Sequence, residues 1–164
     1  MAKRINWSQR VLFVALLFLV SFILNVIWEY LHYPLYICTW ERVSCSLVAG
    51  LYDALIILGI YVGGLLLFRA PFWFAPARLN RSNRRWSRRS FLVYSYLFIL
   101  SFTIAYGIEL RALLTDRWTY AATMPIIPIL NVGLSPIVQL LVLVPLSLYL
   151  AKYVAKKLVS GITP

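Results

Sequence analysis

Negative charge is scarce in this chain: five of its 164 residues are Asp or Glu, against 16 Lys or Arg. Histidine occurs once and cysteine twice. Each shortage closes a class of chemistry. One His and two Cys are too few for a structural zinc centre of the usual Cys/His kind. Cys-x-x-Cys, a haem-type His pair, a phosphate-binding Gly loop and a nucleophile elbow are all missing, so soluble-type catalysis and redox cofactors are not expected, and no cofactor is predicted. Charged residues of both signs make up only 13% of the chain while 62% is hydrophobic, which is far from the mix of a soluble domain.

What is abundant is long apolar sequence. Four stretches, about residues 10–32, 46–68, 90–115 and 134–155, are long enough at ~1.5 Å per residue to cross a hydrocarbon core of ~30 Å. The first lacks a small-x-small cleavage site and ends in Asn-Val-Ile-Trp-Glu-Tyr30, so it reads as a mature helix and not as a signal peptide. The expected fold is all-α, a single polytopic bundle of four transmembrane helices.

The basic residues orient it. Lys3, Arg4 and Arg10 precede the first span. Arg69, Arg78, Arg81, Arg84, Arg85, Arg88 and Arg89 lie between the second and third, and Lys152, Lys156 and Lys157 close the fourth. Only Arg42, Arg111 and Arg117 fall on the other side. Because cytoplasmic loops retain Lys and Arg, both termini and the loop 69–89 are expected in the cytoplasm. The Arg-rich loop, with Trp73 and Trp86 at the interface, reads as a topology anchor; the alternative is that its clustered Arg and interleaved Trp bind anionic lipid head groups or RNA, of which nucleic acid is not expected. Cys38 and Cys45, in the outer loop 33–45, either close a small disulfide loop or stay as two thiols.

All five acidic residues fall on the outer side: Glu29, Glu41, Asp53, Glu109 and Asp116. On the first span Ser21, Asn25, Glu29 and His32 are spaced by four, four and three, which makes one polar stripe on a helix. Asp53 lies about two turns into the second span, where an ionised carboxylate facing lipid would be costly. Tyr106 and Glu109 share a face of the third helix, and Ser135 and Gln139 one of the fourth. Together these residues suggest an acidic pocket opening outward. Glu29, His32, Asp53 and Glu109 are its candidate acid/base or ligand-binding groups. Asn25, Trp28, Tyr106, Arg111, Trp118, Tyr120 and Gln139 are candidates for contacting a substrate. The alternative is that the same groups hydrogen-bond across helices as packing contacts. Glu29-x-x-His32 has the spacing used in di-metal carboxylate bundles, but those use two copies, so no metal is predicted.

The outer loop 116–133 is rich in aromatic residues and proline, and it either folds back over the bundle as a cap or lies among head groups. Gly59 and Gly63 have small-xxx-small spacing, the mark of a close helix contact. Pro136 suits the first turn of the fourth helix.

Trp28-Glu-Tyr-Leu-His32 with Pro34-Leu-Tyr36, Asp53-Ala-Leu55, Glu109, Arg117-Trp-Thr-Tyr120, Met124-Pro-Ile-Ile-Pro128 and Gly133-Leu-Ser-Pro136 to Gln139 resemble a family of small prokaryotic four-helix membrane proteins over residues 28–139. The resemblance implies a multi-pass protein of the prokaryotic cytoplasmic (inner) membrane and brings no activity with it. In kind, without an alignable motif, the chain is also similar to the EXPERA group, whose members bind or isomerise sterol-like molecules with acidic and His residues in a membrane pocket.

The expectation is therefore a membrane protein that binds or acts on a hydrophobic or lipid-linked small molecule, with Trp118 and Tyr120 as an aromatic wall. Whether it is an enzyme is left open. Two other classes stand beside it: a proton or cation transport component, and a structural subunit that docks a membrane-protein partner or a second copy of itself.

Overall fold

The computed structural model describes residues 7–37, 41–74 and 88–161. It is all-α in its long elements: α1 Trp7–His32, α2 Arg42–Phe68, α3 Arg88–Leu114 and α4 Leu134–Gly161. All four are long and apolar enough to cross a membrane. The readings of Lys3, Arg4, Cys38, and of Arg78 through Trp86 in the Arg-rich loop, lie outside the described residues.

Local chemistry sets the helix ends. α1 stops at His32 because Pro34 comes next but one, and the chain continues as a 3-10 turn over Tyr33–Leu35. α2 begins at Arg42, a turn before the apolar run, since Arg42-Val-Ser-Cys45 holds no helix breaker; the Cys45 amide already donates to the Glu41 carbonyl at 2.9 Å. It ends at Arg69, which turns left-handed at φ 50° ahead of Pro71. α3 closes in a Schellman arrangement. Asp116 adopts φ 50°, its amide bonds to Leu113, and the Arg117 amide bonds to Ala112.

Packing runs in the order α2, α1, α4, α3. Helix α1 lies against α2 and α4, and α4 against α3, whereas α2 and α3 scarcely touch. The closest crossing of α1 and α2 is at Gly50, where a Cβ would stand 2.6 Å from Val26 Cγ2 and 2.9 Å from its backbone nitrogen. Gly59, expected at such a contact, has nothing within 4 Å of a Cβ, and Gly63 meets the Tyr96 hydroxyl. The crossing sits about three turns nearer the start of α2 than the Gly59/Gly63 spacing predicts, because Gly50 is the glycine that falls on the α1-facing side.

The two ends of the bundle differ. At one, the segment after α2 turns inward and fills the interior with rings. Trp73 and Phe74 are both 0% exposed, so Trp73 is a core residue and not the interface residue expected from sequence. Its indole donates to the Tyr61 carbonyl at 3.2 Å, while Tyr61 and Tyr149 donate to the Pro71 and Phe74 carbonyls. The other end carries the polar residues, and two short strand pairs cover it. β1 (Tyr36–Ile37) pairs antiparallel with β2 (Thr119–Tyr120), and β3 (Ile126–Ile127) with β4 (Val132–Gly133). The loop 116–133 thus folds back onto the bundle.

Candidate functional site

The polar end is built from helical spacing. Asn25, Glu29 and His32 lie along one stripe of α1, Asp53 is early in α2, Glu109 late in α3, and Ser135 and Gln139 share a face of α4. Helix packing brings these stripes into one hydrogen-bonded cluster.

Gln139 is its centre. The side-chain amide nitrogen lies 2.7 Å from Asp53 Oδ2, 2.8 Å from Glu29 Oε1 and 3.1 Å from Asn25 Oδ1. An amide has two hydrogens, so three acceptors compete for them. Glu29 and Asp53 are thereby held beside one another on a single amide nitrogen.

His32 extends the cluster from Glu29. Its Nε2 lies 2.9 Å from Glu29 Oε2, and its Nδ1 lies 3.0 Å from Trp28 Nε1 and 2.9 Å from Ser135 Oγ. An indole N–H only donates, so Nδ1 accepts and the Nε2 hydrogen is directed at Glu29; this assigns the tautomer. Sequence reasoning groups Ser135 with Gln139 but gives it no partner, and His32 is that partner.

Glu109 is arranged differently. It is 3% exposed and accepts from the Tyr120 hydroxyl at 2.5 Å, with the Tyr36 hydroxyl at 3.4 Å and the Trp118 indole at 3.5 Å. Tyr120 in turn accepts the Gly133 amide at 2.9 Å, so its single hydrogen is committed to Glu109. Every neighbour that bonds Glu109 donates to it. Burial, and after it the charges of Glu109 and Glu29, push the Tyr36 phenol well above its ordinary value. Tyr120 is raised by burial and then by its bond to Glu109. Both phenols are consequently fixed as neutral donors.

Tyr36 is not among the residues expected in the site. It lies past the end of α1, where helical spacing carries no information, and it reaches Glu109 because β1 pairs with β2, placing Tyr36 opposite Tyr120. Its ring stands 5.3 Å from His32, 5.6 Å from Tyr120 and 6.1 Å from Trp118, which makes it the bridge between the two halves of the cluster. The available signal is the aromatic pair Tyr36 and Tyr120, each next to a β-branched residue in a loop.

Two expected contacts are absent from the cluster. Tyr106 stacks on Phe102 at 6.2 Å and packs with the core. Arg111 is exposed, and among the described residues its side chain makes no ion pair with a site carboxyl. Arg111, two residues on from Glu109, falls on the opposite side of α3, whereas Tyr106 lies on the same side but its ring is taken up by Phe102. An apolar groove lined by Phe91, Tyr94, Ser95, Phe98 and Ile99 lies at least ~15 Å along α3 from Glu109 and takes no part.

The cluster reaches the protein surface at Trp28, Glu29, Tyr36, Asp53, Trp118 and Tyr120, all partly exposed, whereas Asn25, Glu109 and Gln139 are buried beneath. It thus combines two carboxyls on one amide, a third carboxyl held by donors and an aromatic rim. Among the described residues no group of three or more His, Cys, Asp or Glu is placed to hold a metal ion. Comparisons with protein-family models, with curated proteins and with solved structures gave no match to this chain.

Proposed function

We propose that the chain is an integral membrane protein with four spans and both termini in the cytoplasm, and that its polar end is an outward-facing site for a hydrophobic or lipid-linked small molecule. The four apolar helices and the large exposed side chains along them, such as Leu19, Leu67 and Phe98, support insertion. The uneven distribution of Lys and Arg supports the orientation, with the acidic cluster at the end that has few of them.

The observation that carries the functional reading is the difference between the carboxyls. Glu29 and Asp53 share the Gln139 amide, while Glu109 accepts from Tyr36, Trp118 and Tyr120. Packing contacts alone do not call for three carboxyls gathered at one end of an apolar bundle in two such different settings, whereas a site that exchanges a proton and steadies a polar group does. In this reading the Glu29–Asp53 pair supplies the proton, His32 keeps Glu29 in place, and Glu109 orients a donor group of the ligand. The aromatic rim shields the site from water.

The test uses Asp53→Asn and Glu109→Gln, with lipids that copurify identified by mass spectrometry. Loss of a specific hydrophobic molecule from both variants is the expected result. An unchanged lipid profile, together with unchanged activity or growth phenotype, would show the cluster to be packing only. Transport fits less well: among the described residues the interior of the opposite end is filled by Trp73, Phe74, Phe13 and Tyr61.

A further inference from the structure

We infer that Lys152 and Lys156 of α4, with Arg10 of α1, bind the phosphate of an anionic phospholipid in the leaflet at the end of the bundle filled by Trp73 and Phe74. The inference rests on membrane insertion and not on the ligand reading of the polar end.

The segment that follows α2 builds the site. It lays Phe72 and Phe74 between α1 and α4. On the α1 side both rings pack against Phe13, at 5.1 and 5.9 Å. On the α4 side Lys152 Nζ stands 5.7 Å from the Phe72 ring and 6.0 Å from that of Phe74. Phe74 is fixed there, its carbonyl accepting from the Tyr149 hydroxyl at 3.0 Å. Helical spacing adds the other two cations. Lys156 is one turn beyond Lys152 on the same side of α4, near enough for the two charges to repel. Arg10 is three residues before Phe13 on the same side of α1, and it lies near the Tyr61 hydroxyl, which is bonded to the Pro71 carbonyl. Two helices thus bring three cations to the borders of one aromatic inlay.

No carboxylate of the chain answers them. Residues 1–28, 54–108 and 117–164 contain no Asp or Glu, and the five acids lie at the opposite end. Among the described residues the ammonium of Lys152 has rings beside it and no acceptor. Its counter-charge comes from another molecule.

Depth decides which molecule. Lys152 follows the start of α4 at Leu134 by ~27 Å of helical rise, which puts its backbone at the edge of a hydrocarbon core of ~30 Å. Leu150 and Tyr153 flank it and are exposed. A polyanion in water would have to enter hydrocarbon to reach this position. The phosphate of a lipid is already at that level, within reach of a lysine whose stem runs along apolar surface. A zwitterionic head group would bring a further ammonium into a cluster that has no negative charge of its own, so net negative charge is selected.

Native mass spectrometry of the full chain released from detergent, titrated with phosphatidylglycerol, phosphatidylcholine or inorganic phosphate, reads the site. The first phosphatidylglycerol should bind about fivefold or more tightly than the first phosphatidylcholine. Lys152→Gln and Lys156→Gln should each weaken it about fivefold, the effect of one basic residue near a head group. Lys156 is exposed, so its replacement leaves the packing intact. Lys152→Arg should bind as the wild type does, and so should Arg117→Gln, which removes an exposed cation from the opposite end. Equal affinity for the two lipids, or phosphatidylglycerol binding untouched by both Gln variants, overturns the site. Inorganic phosphate bound as tightly as phosphatidylglycerol, with the same dependence on the lysines, makes it a site for free anions and overturns the lipid assignment. A short RNA that displaces phosphatidylglycerol at a lower concentration than the lipid itself requires does the same. Insertion is read separately, by alkaline carbonate extraction of reconstituted protein. An extracted chain overturns both insertion and the site, whereas a chain that stays inserted and binds both lipids alike overturns the site alone.

Discussion

The hydroxyl of Tyr120 accepts the Gly133 amide and donates to Glu109, so one phenol joins the β3–β4 hairpin to a buried carboxyl. Tyr120→Phe removes both bonds and leaves Glu109 short of its nearest donor. Roughly 1.5–3 kcal/mol of stability should be lost, as for a hydrogen bond to a charged group. Thermal unfolding of detergent-purified protein measures it, with Thr119→Val, an exposed neighbour, as the unaffected control.

Gln139 presents two N–H bonds to three acceptors, and no other described side chain joins α4 to both α1 and α2 in this way. Replacing it by Leu leaves Asn25, Glu29 and Asp53 without that donor, and the bundle should lose at least about 2 kcal/mol. Gln139→Glu replaces the donor by a third carboxyl beside Glu29 and Asp53 and should destabilise more at neutral pH, where carboxylates repel, than at acid pH. Equal losses at both pH values would refute the close approach of Glu29 and Asp53 to position 139.

The hydroxyls of Ser21, Ser101 and Ser147 are buried, and none has a hydrogen-bond partner among the described residues. Truncation removes an unsatisfied polar atom and no bond. Ser→Ala at each position should be neutral or stabilising by up to about 1 kcal/mol. A loss larger than that at any of the three would show that its hydroxyl has a partner beyond the described residues.

Alkaline pH should weaken the polar end. The phenols of Tyr36 and Tyr120 are raised in the folded state, chiefly by burial, and the unfolded chain ionises at about pH 10. The neutral form is favoured by folding, so this stability is fully present below about pH 10 and is lost as the pH rises toward the folded values. Melting temperatures should therefore fall above about pH 10, and Tyr36→Phe with Tyr120→Phe should flatten the fall.

Gly50 and Gly59 give a direct test of the helix packing. Alanine at Gly50 meets the Val26 backbone and should cost roughly 1–3 kcal/mol, whereas at Gly59 it meets nothing and should be tolerated.

Helical periodicity explains why so much of the cluster is legible before the fold is known. Asn25, Glu29 and His32 fall on one stripe of α1, and Gln139 and Ser135 on one of α4. A buried polar stripe has few places to go except against another. Periodicity carries no information past the last turn of a helix. Tyr36 enters the site by pairing with a strand more than eighty residues away, and Trp73 enters the core because its segment turns back at Arg69; neither event has a local signature. Arg111, two residues from Glu109, falls on the opposite side of α3, and Tyr106, three residues back on the same side, is taken up by Phe102.

The row of helices α2, α1, α4, α3 divides the cluster between two hairpins. Asn25, Glu29, His32, Tyr36 and Asp53 come from the α1–α2 half; Glu109, Trp118, Tyr120, Ser135 and Gln139 come from the α3–α4 half. Neither half holds a site of its own. A gene divided between the codons for Phe74 and Arg88 would therefore encode two fragments, each lacking half of the cluster.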